Sequence, residues 1–104
     1  MEELELVSCE IIANVGSARS CYIEAIQRAK DNKFEEAEEL LSEGDKTFLS
    51  GHNAHATLVQ KEAGGNAVQV SLLLAHAEDQ LMSAEGFKIL AKEFIELYRK
   101  ISQE

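Results

Sequence analysis

The run SLLLAHAEDQLM, residues 71–82, places His76 three residues before Asp79, the spacing in this sequence with the most chemical potential. On a helix, residues three apart project from overlapping faces, and Gln69, Leu73, Gln80 and Ser83 would fall alongside. A neutral imidazole offers a lone pair near neutral pH. It can serve as a phosphoryl-accepting nucleophile, a general base or a metal ligand, or be a partly buried residue hydrogen-bonded to a neighbour. Asp79 is odd in another way. At about 100° per residue, Leu72, Ala75, Asp79, Met82 and Gly86 form one seam, so a carboxylate occupies a core-type position. A buried carboxylate must be protonated, paired or bound to a cation. If the seam faced copies of the chain around a threefold axis, three carboxylates would converge, and a hard ion such as Mg²⁺ would relieve their repulsion. The alternative is an Asp79 that pairs with a Lys or lies at the surface.

Other reactive residues are less organised. His52 and His55 are three apart, a spacing that could bind Zn²⁺ with an added acid, but no third ligand follows at a convincing interval. Both are expected to be exposed helix residues. Cys9 and Cys21 lie twelve residues apart on one expected helix, about 18 Å at 1.5 Å per residue, too far for a disulfide. With only Arg19 as a basic neighbour for Cys21, both are expected to be structural thiols. Glu35, Glu36, Glu38 and Glu39 form a solvated acidic face that complements a helix N-terminus. No Gly-rich phosphate loop, Ser-His-Asp elbow or Cys-x-x-Cys pair is present.

The elements that must hold these side chains are helices. The 104 residues suffice for one domain, contain no Pro, and are 45% hydrophobic with only 6% aromatic, which describes a helical core of Ala, Leu, Ile and Val. Ile11, Ile12, Val15, Ala18, Tyr22, Ile26 and Ala29 mark a first helix over about residues 4–29. After a polar break in which Asn32 is a candidate cap, Ala37, Leu40, Leu41, Phe48 and Leu58 mark a second over about 34–62, interrupted by Gly44 and Gly51. Gly64-Gly65 ends it, and Asn66 is expected to cap a third helix over about 66–101, with Val68, Leu72, Ala75, Met82, Leu90, Phe94, Leu97 and Ile101 at helical spacing. Two short connections force antiparallel neighbours, so the expected fold is all-α, an antiparallel three-helix bundle. A net charge of −9 opposes nucleic acid and anionic membrane surfaces as partners. The N-terminal residues lack a secretory signal and no apolar run could span a bilayer, so a cytoplasmic protein is expected.

The segments GHNAHATLVQKEAGG and VQVSLLLAHAEDQLMSAE resemble the lactose/cellobiose-type enzyme IIA of the bacterial phosphoenolpyruvate-dependent sugar phosphotransferase system, and the similarity runs from near Glu5 to Tyr98 and Arg99. The resemblance implies a phosphocarrier. His76 would accept a phosphoryl group from the histidine-containing phosphocarrier protein and pass it to a cysteine of enzyme IIB, during uptake of a β-linked disaccharide such as lactose, cellobiose or chitobiose. It also implies a homotrimer whose Asp79 residues bind a divalent cation, Mg²⁺, at the axis; because an axial ion would sit apart from three peripheral His76 rings, its part is expected to be in assembly rather than transfer. Gln80, Gln69 and Ser83 are the candidate donors to the phosphoryl oxygens. Two positions depart from the family's pattern: Glu78 stands where Gln is common, and Gln80 where His is common, which removes any auxiliary imidazole there. Against this stands a non-catalytic helical adaptor. AIQRAKDNKFEEAEELL looks like one tetratricopeptide-type or microtubule-interacting-type hairpin, but it occurs once where arrays need about three copies, and it gives His76 and Asp79 no task.

Overall fold

Two sharp breaks cut the Pro-free chain into α1 (Glu3–Lys30), α2 (Phe34–Ala63) and α3 (Leu72–Ser102). The structure, a computed structural model, describes residues 2–103. Among them there is no strand. Both breaks are made by the backbone. At the end of α1, Asn32 takes the left-handed conformation (φ 61°), its N–H bonding to the Ala29 carbonyl and that of Lys33 to Arg28. At the end of α2, Gly65 does the same (φ 93°), with Gly65 N–H to Glu62 and Asn66 N–H to Lys61. These paired bonds satisfy the last carbonyls of each helix, and Asn and Gly are the residues that tolerate the conformation at least cost. Asn32 therefore closes α1 instead of capping α2, whose N-cap is Lys33 without a side-chain bond.

The third helix starts later than its apolar spacing predicts. Residues 66–71 are non-helical, and α3 begins where the Ser71 hydroxyl accepts a hydrogen bond from Leu74 N–H at 3.1 Å. Asn66 is instead part of the turn that closes α2, its N–H bonded to the Lys61 carbonyl, and the cap falls to Ser71. The β-branched Val68 and Val70 also favour the extended segment that precedes it.

The core follows α1, which contacts each of the other helices more extensively than they contact each other. Its buried stripe, Ser8, Ile11, Val15, Ala18, Tyr22, Ala25 and Ala29, includes most of the expected one. From α2 come Ala37, Leu41 and Phe48, and from α3 Leu74, Ala77, Leu81, Ala84, Ala91 and Ile95. The α3 stripe is a correction. Leu72, Ala75, Met82, Leu90, Phe94, Leu97 and Ile101 are exposed, Leu72 at 88% and Met82 at 66%, so the helix carries a second apolar face turned away from its own bundle.

Gly44 and Gly51 do not interrupt α2, which is continuous through both. They are packing residues. A Cβ at Gly44 would stand 2.8 Å from Tyr22 Cε1, and one at Gly51 2.6 Å from Val15 Cγ1, so α1 lies against α2 where α2 has no side chain. Ala at 51 would improve helix propensity by about 1 kcal/mol, yet overpacking a buried contact costs about 1–3 kcal/mol. Gly51→Ala is therefore expected to destabilise the chain by about 1 kcal/mol, read as a lower urea midpoint. A midpoint at or above that of the wild type would show that the two helices part freely.

Tyr22 is fully buried, and its hydroxyl donates to Asp45 Oδ1 at 2.6 Å. Burial, then the bond to Asp45 and the charge of that carboxylate, push the Tyr22 phenol far above its ordinary range. Lys88 and Lys92 of α3 approach the same carboxylate at 3.9 and 3.8 Å, so one acid from α2 ties all three helices.

Candidate functional site

His76 sits in the second turn of α3 with its side chain exposed. Leu74 and Ala77 on either side of it point into the core and anchor that turn, leaving the imidazole outward. No hydrogen bond or ion pair engages it among the described residues, so both ring nitrogens are open to solvent or to a partner. Asp79 follows one turn on, exposed, and Gln80 and Ser83, one and two turns on, are partly buried. The structure thus keeps His76, Asp79, Gln80 and Ser83 on one helix, within about 11 Å of rise.

Gln69 is not brought onto that face. Its spacing of seven from His76 would place it there only if the helix reached back to residue 69, as the expected start at Asn66 implies. In the structure it lies in the extended segment and lines a recess of about 180 Å³ with Glu3, Leu4, Val7, Leu58 and Lys61, against the start of α1.

Asp79 lies among the exposed apolar residues of α3, as the seam of Leu72, Ala75, Met82 and Gly86 predicts, but the seam is open in one chain. Among the described residues no three His, Cys, Asp or Glu side chains gather to hold a metal ion. Within one chain Asp79 is thus a carboxylate that belongs to no such group.

His55 is half of a contact that sequence spacing does not show. Its Nε2 lies 2.9 Å from Glu78 Oε1, and since an ionised carboxylate only accepts, the imidazole donates. The partners are 23 positions apart and on different helices, so no local pattern pairs them. His52 is exposed, its ring 6.3 Å from that of Phe48. The cysteines are free, as expected. Burial and then the nearby Glu43 and Glu24 raise the Cys21 thiol, which keeps it protonated and a poor nucleophile. No helix is long and apolar enough to cross a membrane among the described residues.

Comparison with known proteins gives this arrangement a context. Residues 6–99 match the family described as "PTS system, Lactose/Cellobiose specific IIA subunit". The chain is 40% identical over 95 residues to the oligo-beta-mannoside-specific EIIA component of the phosphotransferase system of Bacillus subtilis (strain 168), covering 91% of this chain and 86% of that protein. Its structure superposes on the cellobiose-specific enzyme IIA from Bacillus anthracis with a TM-score of 0.97 at 39% identity, over 100% of this chain and 95% of the other. It is likewise similar to the IIA(Chitobiose) chain solved in complex with HPr from Escherichia coli, with a TM-score of 0.83 at 33% identity, over 98% and 99% of the two chains. The helical-adaptor alternative finds no support among these likenesses.

Proposed function

Since the chain belongs to the lactose/cellobiose-specific IIA subunit family of the phosphotransferase system, we propose that it is a phosphocarrier in which His76 accepts a phosphoryl group from the histidine-containing phosphocarrier protein and delivers it to a cysteine of enzyme IIB. The observation that carries the reading is the exposed His76, free of competing bonds, on the helix with the family's most specific residues. In the first step a ring nitrogen of neutral His76 attacks phosphorus in line. A P–N bond to His76 forms as the donor's P–N bond breaks; the donor imidazole leaves with the electron pair and takes up a proton, and the other ring nitrogen of His76 gives one up. In the second step the thiolate of enzyme IIB attacks, an S–P bond forms as the P–N bond to His76 breaks, and His76 leaves with the electron pair and takes up a proton to return to neutral imidazole. The transition state is loose and little covalent assistance is required, so the protein's task is positioning and donation to the phosphoryl oxygens. Gln80 and Ser83 are the donors we assign to that task. Gln69 could contribute only from the extended segment, off the helix that carries His76.

HPr as the donor is supported by the likeness to the IIA(Chitobiose)–HPr complex. The relatives' sugars differ, oligo-beta-mannoside, cellobiose and chitobiose, so the cargo is proposed as a class, a β-linked sugar, with the chain acting in the cytoplasm. We assign the exposed apolar face of α3 to a homotrimer in which three Asp79 carboxylates hold Mg²⁺. Bound there, the ion would offset the repulsion of the converging charges. Its part is in assembly, so Asp79→Leu is expected to abolish any dependence of Tm on EDTA, because Leu replaces the converging charges with apolar contact. A trimer of Asp79→Leu that could not accept phosphate would defeat this structural role.

The phosphocarrier reading is tested by intact mass after incubation with phosphoenolpyruvate, the general phosphotransferase enzyme and HPr. The expected result is a gain of one phosphoryl group, lost in acid and kept in base. No gain with active donors would reject the reading.

A further inference from the structure

We propose that His55 is a positioning residue for phosphoryl transfer at His76, acting through Glu78; the proposal rests on the phosphocarrier reading above. Three polar rungs join α2 to α3. Glu38 meets Arg99 at 3.2 Å, Asp45 meets Lys88 and Lys92, and His55 meets Glu78 at 2.9 Å. The Asp45 rung reaches α3 ten residues beyond Glu78, about 15 Å along the helix. The opening turns of α3, where His76 sits, thus have one polar tie to α2 among the described residues.

Little else holds these turns on that side. The preceding segment, residues 66–71, is extended and mostly exposed. Leu74 and Ala77 pack inward, but a helix held along one buried line can still roll about it. The bond to Glu78 resists that roll, and the roll sets where the His76 ring points.

His55 is built to hold such a bond. Its side chain is only 22% exposed and lines a recess of about 70 Å³ with Leu58, Val68, Val70 and Leu74. Those apolar walls leave the imidazole less freedom than the guanidinium of an exposed pair such as Arg28 with Glu24, while the Glu78 side chain, 49% exposed, keeps its contact with water. The acidic groups facing His55 are Glu78 from α3 and Glu62 from its own helix.

The rung also places a charge. Residues two apart on a helix project about 200° from each other, so Glu78 leaves α3 on the side away from His76. Held there by His55, the carboxylate stays clear of an incoming phosphoryl group that it would repel. His55 does not touch the reacting atoms in this account.

The test is the single-turnover rate at which the full-length chain takes a phosphoryl group from phosphorylated HPr. His55→Ala is expected to lower the rate at saturating donor by about fivefold, a small part of the roughly hundredfold that an ångström of misplacement can bring, with the half-saturating donor concentration unchanged. His55→Gln, whose amide can still donate to Glu78, is expected to recover most of the rate. His55→Ala combined with Glu78→Leu is expected to be no slower than the slower single variant, as two halves of one rung require. A merely structural role would move Tm and the folded fraction but would not give this rescue. A His55→Ala rate equal to wild type, a His55→Gln rate as slow as His55→Ala, or additive losses in the double variant would each overturn the proposal. A wild type that took up no phosphoryl group would instead reject the phosphocarrier reading, and the proposal with it.

Discussion

His76→Ala is expected to keep its helicity and Tm yet gain no phosphoryl group, a fall of at least about a thousandfold in the rate of uptake. The fold should not notice the change, because the side chain is exposed and no hydrogen bond or ion pair is lost with it. The chemistry should not survive it, because the other two imidazoles are unsuited to replace it. His55 already donates Nε2 to Glu78 and is largely enclosed, and His52 lies on α2 with its ring 6.3 Å from that of Phe48, off the helix that carries Gln80 and Ser83. Intact mass against time, with circular dichroism on the same samples, checks both halves of the expectation. Uptake that persisted in His76→Ala would move the acceptor to α2.

The helices and the place of His76 were legible because each rests on local chemistry. The α1 stripe from Ile11 to Ala29 is a single-faced pattern, and its period alone identifies the buried side. On α3 the period is ambiguous, since two apolar faces share one helix. Leu74, Ala77, Leu81 and Ala84 pack within the bundle, while Leu72, Met82, Leu90 and Phe94 remain outside. Nothing in the spacing tells which face meets the chain's own helices; that depends on α1, whose alanines admit the small residues of one face. The glycines show the opposite error. Gly44 and Gly51 read as helix breakers by propensity, but their cost is offset where the absent Cβ lets Tyr22 and Val15 approach.

The parts of the site that spacing missed are tertiary. Gln69 would share a face with His76 only if the helix reached it, and the Ser71 cap, two residues further along the chain, ends that possibility. His55 with Glu78, and Asp45 with Tyr22, Lys88 and Lys92, bring together residues more than twenty positions apart, so their pairing is known only once α2 lies antiparallel to both α1 and α3. A half-signal existed. A His and an acid on facing antiparallel helices, in register with the other charged pairs, form a ladder whose first two rungs predict the third.

The exposed face of α3 carries the second large expectation. Leu90→Glu with Phe94→Glu is expected to turn the proposed trimer into monomers that keep their helices, measured by sedimentation or light scattering together with circular dichroism. Leu72, Met82, Ile89, Leu90, Phe94, Leu97 and Ile101 are all exposed, in a line that runs almost the length of the helix. A contiguous apolar patch of this extent on a chain with a net charge of −9 is unusual unless something covers it. Burying a Leu or Phe side chain contributes about 1.5–3 kcal/mol, so losing two per protomer, with carboxylates left in their place, outweighs what a small trimer interface can spare. Neither residue belongs to the intramolecular core, which is why the helices should survive. The added acids would also repel one another around a threefold axis, as the three Asp79 carboxylates of the proposed trimer would. A double variant that remained trimeric would place the interface elsewhere, and a wild type that sedimented as a monomer at tens of micromolar would leave the apolar face of α3 without the partner proposed for it.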